Sequence, residues 1–159
     1  MTELSLLALL FACNGAPILA RLLLAGHFAR PVDNGLRLWD GRPLFGRSKT
    51  WRGLLAGLAI GAVGAALLGW GWGFGLVFAF WSLLGDLLAS FIKRRLGFDP
   101  SDQALGLDQL PEAVLPLMYA STVLSFGVAH VIGLSIAFAA LSLAISRPLY
   151  HWHIRKRPW

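Results

Sequence analysis

Hydrophobic positions run along this chain in long unbroken blocks. Between Arg52 and Asp86 lie 33 residues without a Lys, Arg, Asp or Glu, and between Glu112 and Arg147 lie another 34. About 20 apolar residues make one helical crossing of a bilayer, so each block is long enough for two short crossings. A third apolar stretch runs from Leu4 to about Gly26, and glycine-bearing breaks at "GWGWG" (Gly69 to Gly73) and near Gly127 to Gly133 divide the longer blocks. The pattern predicts an all-α, polytopic membrane protein of about five transmembrane helices. They fall at roughly 3–25, 53–70, 73–94, 111–127 and 130–149, with polar loops at 26–52 and 95–110, in a single integral membrane domain over 1–159.

Composition supports this class: 57% of the residues are hydrophobic and only 14% charged. The single cysteine, Cys13, excludes an internal disulfide and a cysteine-clustered metal site, and reads as a packed helix residue. The first segment begins with Glu3 and contains Asn14, Pro17 and Arg21, so it reads as a retained helix rather than a cleaved signal. A net charge of +6 raises nucleic acid as a partner, but the distribution argues for topology and anionic headgroups instead, with no nucleic acid bound. Six bases lie between Arg30 and Arg52, three at Lys93 to Arg95 and four between Arg147 and Arg157, while the turns on the other side carry none. That asymmetry requires an odd helix number and predicts the N-terminus outside and the C-terminus in the cytoplasm. Gly57, Gly61 and Gly64 space small residues along one helix, as close packing in lipid demands.

Both long loops then meet on the cytoplasmic face, where the chemistry belongs. In "GDLLASFIKRRLG" (Gly85 to Gly97), Asp86 is the only acid between Asp40 and Asp99. Successive helical residues turn by about 100°, so Asp86, Ser90, Lys93 and Arg94 share a face while Arg95 points away, towards the lipid interface. An acid at a bilayer's centre costs roughly 2.5 to 3.5 kcal/mol, less near a helix end, so Asp86 needs a partner. A structural ion pair with Lys93 or a base from another helix is the simplest account. Asp108, in "LDQLPE", enters the next helix from the same side. Two carboxylates at facing helix ends can hold magnesium, a hard cation that selects oxygen ligands, and neighbouring bases can take phosphate oxygens. Such a set suits phosphoryl or nucleotidyl transfer. The basic loop "DGRPLFGRSKTWRG" (Asp40 to Gly53) lacks the Gly-Lys-Ser/Thr order of a P-loop, and alone it reads as a solvated loop near anionic lipid.

Taken in order, "DGRPLFGRSKTWRG", "GDLLASFIKRRLG" and "LDQL" (Leu107 to Leu110), with "NGAP" at Asn14 to Pro17 and "PVDNG" at Pro31 to Gly35, resemble the CDP-archaeol synthase family over most of the chain. The resemblance implies a five-helix membrane enzyme, related to phosphatidate cytidylyltransferases. Its substrates would be CTP and an archaetidic-acid-like or phosphatidic-acid-like lipid phosphate, and its products a CDP-lipid and pyrophosphate. It would sit in the cell membrane with the active site on the cytoplasmic face. Carried over by position, Asp86, Lys93 and Asp108 are the catalytic residues, with Asp86 and Asp108 the magnesium ligands. Asp40, Lys49, Arg52, Ser90 and Arg94 are the substrate-binding residues. The chain departs from the family pattern where Pro111, not an acid, follows "LDQL", so Glu112 is not carried into the ligand set; "FDPSDQALG" is also more acidic than the pattern. Two other classes compete. A CDP-alcohol phosphotransferase needs several Asp spaced three and four apart, and that series is absent. A non-catalytic scaffold or transporter component binding anionic lipid needs only the basic loops. His27, His130, His151 and His153 read as structural or interfacial, and the Trp and basic residues of the tail as an interfacial anchor.

Overall fold

The computed structural model describes residues 2–151, apart from 101 and 103, with side chains followed to residue 145. The interfacial anchor expected of the tail, together with His153 and the side chains of Arg147 and His151, lies outside the described residues. Among the described residues five helices follow one another: α1 (Thr2–Leu24), α2 (Trp51–Leu67), α3 (Trp72–Arg95), α4 (Gln109–Leu124) and α5 (Val128–His151). Among the described residues the only extended pairing is two isolated antiparallel bridges, Pro31 with Thr50 and Arg37 with Pro43.

Local chemistry sets the helix ends. Thr50 caps α2, its Oγ1 accepting from the Gly53 N–H at 3.3 Å, which starts the helix two residues before the apolar block. Gly69 and Gly71 hold φ of 79° and 80°, a left-handed backbone that glycine adopts without strain, and the α2–α3 turn forms there. Pro111 stands in the first turn of α4, where its missing N–H leaves no intrahelical bond unmade. Among the described residues three helices are long and apolar enough to cross a membrane: α1, α3 and, over Val128–Ile145, α5. α2 is apolar but spans 17 residues, about 26 Å at 1.5 Å per residue.

Each helix packs on the next, and α1 also reaches α3, α4 and α5. Leu6, Leu9, Leu10, Cys13, Phe78, Leu117 and Phe138 form the buried centre. α2 and α3 cross backbone to backbone: a Cβ added at Gly61 would lie 2.5 Å from the Ala79 Cβ, and one at Gly75 only 2.1 Å from the Gly61 carbonyl oxygen. α3 and α4 touch the same way, since a Cβ at Gly85 would lie 2.2 Å from the Pro111 oxygen. That last contact sets Asp86 beside the start of α4. The α1–α2 loop is pinned at its base by the Val32 N–H donating to Lys49 O (2.9 Å) and the Trp51 N–H to Arg30 O (3.1 Å).

Candidate active site

The α1–α2 and α3–α4 loops lie together at one end of the bundle, and two crossed ion pairs hold them there. Lys49, from the first loop, places Nζ 2.6 and 2.5 Å from the two oxygens of Asp86 on α3. Lys93, two turns further along α3, pairs with Asp108 at the start of α4, and its Nζ also donates to Asp102 O at 3.0 Å. The second Asp108 oxygen accepts from the Ala104 N–H at 2.9 Å. The partner required by Asp86 therefore comes from the loop rather than from its own helix. Ser90 and Lys93 are buried on the expected face.

Arg94, Arg52, Arg42 and Arg95 hold backbone carbonyls. Arg94 is 2% exposed, with Nη2 donating to Asp99 O (2.8 Å) and Nη1 to Phe45 O (3.4 Å), which ties both loops to the end of α3. Arg52 is buried and donates to Ala25 O and His27 O at 2.8 and 2.7 Å, closing the end of α1. Arg42 does the same for α3 through Arg94 O and Arg95 O, at 3.1 and 3.3 Å; a cation at these C-terminal carbonyls also complements the helix dipole. Arg95, assigned by its helical angle to the lipid interface, is corrected by the structure. Its Nη2 donates to Pro43 O at 2.7 Å, its Nη1 lies 3.3 Å from Asp40, and its guanidinium covers the Phe91 ring. The first loop folds under the end of α3, so the face opposite the polar stripe is covered by protein. Asp40 serves this tie and also accepts from the Arg42 N–H at 3.1 Å.

Asp33 was missed as a candidate, although it stands in "PVDNG". Its carboxylate accepts from the N–H groups of Gly35, Phe45 and Gly46, each at 2.9 Å. Burial pushes this carboxyl up, but the N–H donors outweigh it and hold it below the ordinary aspartate value. An Asp followed by Asn-Gly is a local turn signal; the bonds to residues 45 and 46 have no signal in the sequence. Arg47, by contrast, is exposed and makes no hydrogen bond or ion pair among the described residues.

The described residues contain no group of three or more His, Cys, Asp or Glu able to cage a metal. Asp86 and Asp108 supply only carboxylate oxygens, each already matched by an ammonium. This donor set fits magnesium, which keeps waters and is commonly held by one or two carboxylates together with substrate phosphates. On the flank of the α3–α4 seam, Leu88, Ile92, Leu110, Pro111, Val114 and Leu115 line an apolar groove of about 350 Å³.

A bundle of apolar helices with paired acids and bases gathered at one end is the architecture of an intramembrane enzyme. The family model described as CarS-like CDP-archaeol synthase matches residues 3–72 and 71–159. The CDP-archaeol synthase of Hyperthermus butylicus is 40% identical over 67% of this chain and 65% of its own length. That of Pyrobaculum arsenaticum is 33% identical over 94% of this chain and 92% of its own. A solved structure of an intramembrane enzyme for archaeal membrane lipid biosynthesis superposes with a TM-score of 0.71 at 33% identity, covering 86% of this chain and 90% of that one. The chain belongs to the CDP-archaeol synthase family.

Proposed function

We propose that this protein transfers CMP from CTP to a lipid phosphate at the cytoplasmic face of the cell membrane. The observation that carries the reading is the pair of crossed bridges, Lys49 with Asp86 and Lys93 with Asp108, which gather two acids and two bases from the first loop, α3 and the start of α4. An oxygen of the lipid phosphate monoester attacks the α-phosphorus of CTP, and the bond from that phosphorus to the bridging oxygen breaks. The products are a CDP-lipid and pyrophosphate. No general base is required, because the nucleophile is already an anionic oxygen near pH 7.

The difficulty is bringing two anions together, and it is met by placed positive charge. Lys49 and Lys93 exchange their carboxylate partners for phosphate oxygens when the triphosphate enters. Asp86 and Asp108 are the residues that would hold magnesium, which supplies Lewis-acid neutralisation of phosphate charge. Arg94, Arg52 and Asp40 act on substrate through the loops they hold, and Ser90 packs within the same face. The apolar groove beside α4 gives a hydrocarbon chain a place next to the site.

The test is turnover of purified protein in detergent with labelled CTP, magnesium and, side by side, ether-isoprenoid and ester-acyl lipid phosphates. Label should enter the lipid phase with equimolar release of pyrophosphate for at least one of them. Folded protein that yields neither product with either lipid class would overturn the reading.

A further inference from the structure

Pro116 lies within α4 and, having no N–H, leaves the carbonyl of residue 112 without its helical donor. That carbonyl is nevertheless satisfied, because the Ser82 hydroxyl on α3 donates to Glu112 O at 3.0 Å. Ser82 is fully buried and accepts in turn from Asn14 Nδ2 on α1 at 2.9 Å, while the other Nδ2 proton goes to Leu10 O at 3.1 Å. One serine hydroxyl therefore joins α1, α3 and α4, one turn below Asp86 and one turn into the helix that Asp108 begins. No side chain in this relay carries charge.

We propose that Asn14 and Ser82 are positioning residues for the reaction. Pro116 uncouples the first turns of α4 from the rest of that helix, and the Ser82 bond re-anchors them to α3, fixing the spacing between Asp86 and Asp108. The Gly85 to Pro111 backbone contact holds the same seam in one direction only, by exclusion; the hydrogen bond resists separation. The inference rests on the cytidylyltransferase reading for its catalytic consequence, but the tether itself does not. Asn14 acts at one remove: its Nδ2 donates to the hydroxyl at 2.9 Å, and its Oδ1, at 3.2 Å, is a longer alternative acceptor for the single serine proton than Glu112 O at 3.0 Å.

The discriminating variants are Ser82→Ala, Pro116→Ala and the double variant. Ser82→Ala removes the hydroxyl that donates to Glu112 O, and Pro116→Ala returns the helical N–H that would bond it. The expected results for Ser82→Ala are a kcat lowered on the order of tenfold, since small misplacements of reacting groups are costly, little change in the KM for CTP, and faster amide hydrogen exchange over residues 109–115. Pro116→Ala alone should stay within about twofold of the parent, and the double variant should recover both kcat and exchange protection. Unchanged exchange in Ser82→Ala would overturn the tether. Slowed turnover that Pro116→Ala fails to rescue would overturn its assignment to the freed carbonyl, as would normal turnover despite faster exchange. If the parent itself lacks cytidylyltransferase activity, the reading of the reaction falls, and hydrogen exchange decides the tether by itself.

Discussion

Asp86 and Asp108 each accept an ammonium from a segment other than their own, and each keeps that charge in a partly covered site. Substituting asparagine removes the anion while preserving shape, so Asp86→Asn and Asp108→Asn should each cut turnover by about a hundredfold or more, with the protein still inserted and monodisperse in detergent. Initial rates at saturating CTP measure this, and a near-normal rate in either variant removes that residue from the metal-binding role. Asp33 makes a different prediction, about pH. Its folded pKa is depressed by the N–H groups of residues 35, 45 and 46, against the opposing effect of burial. Its stabilisation is therefore fully present above the unfolded value of about 3.9 and is lost as pH falls through the lower, folded value. The first loop should thus stay resistant to limited proteolysis from pH 7 down to about 4. Asp33→Asn should raise the cleavage rate at pH 7 roughly fivefold, the equivalent of about 1 kcal/mol of loop opening. Equal rates at pH 7 would show that the three bonds do not hold the loop.

At the scale of helices, bilayer packing by small residues makes a sharp contrast between glycines. Gly61 and Gly75 face each other with no room for a Cβ, whereas Gly133 on α5 has nothing within 4 Å. Gly61→Leu should lower stability by about 1–3 kcal/mol or more, seen as a lower midpoint of thermal unfolding in detergent, and Gly133→Leu should leave it unchanged. Similar midpoints for the two would contradict the α2–α3 crossing. The helices were legible in the sequence because uninterrupted apolar runs admit no other structure in lipid, and the errors sit at ends governed by caps. Thr50 starts α2 at residue 51 instead of 53, and the glycine turn stops it at 67 instead of 70. Asp86 was legible because it is alone in an apolar run. Its partner was not, because the register of a 26-residue loop against α3 is a tertiary fact. Helical angle failed for Arg95 for the same reason: it assigns a direction, and the 36–44 turn supplies protein where lipid was expected.

For the molecule as a whole, the arrangement of ends carries the remaining argument. Every base from Arg30 to Arg52 and from Lys93 to Arg95 belongs to the end where the loops meet, while the turns at 68–71 and 125–127 carry no Lys or Arg. In the proposed topology, with positive charge on the cytoplasmic side, the Lys49–Asp86 and Lys93–Asp108 pairs would face the compartment that supplies the nucleotide, and Glu3 and His130, 3.4 Å apart, would lie on the far side. Single cysteines placed in a Cys13→Ala background test this orientation, since Trp39, Trp72 and Val128 are 88%, 68% and 73% exposed. In intact cells a membrane-impermeant maleimide should label Trp72→Cys and Val128→Cys, and it should reach Trp39→Cys only after permeabilisation. The reverse pattern would place the loops outside and separate the site from its nucleotide, so it would overturn the topology and the proposed reaction together. Equal labelling of Trp39→Cys and Trp72→Cys from one side would instead contradict the crossing of α3, whose 24 residues reach about 36 Å, enough for the hydrocarbon core.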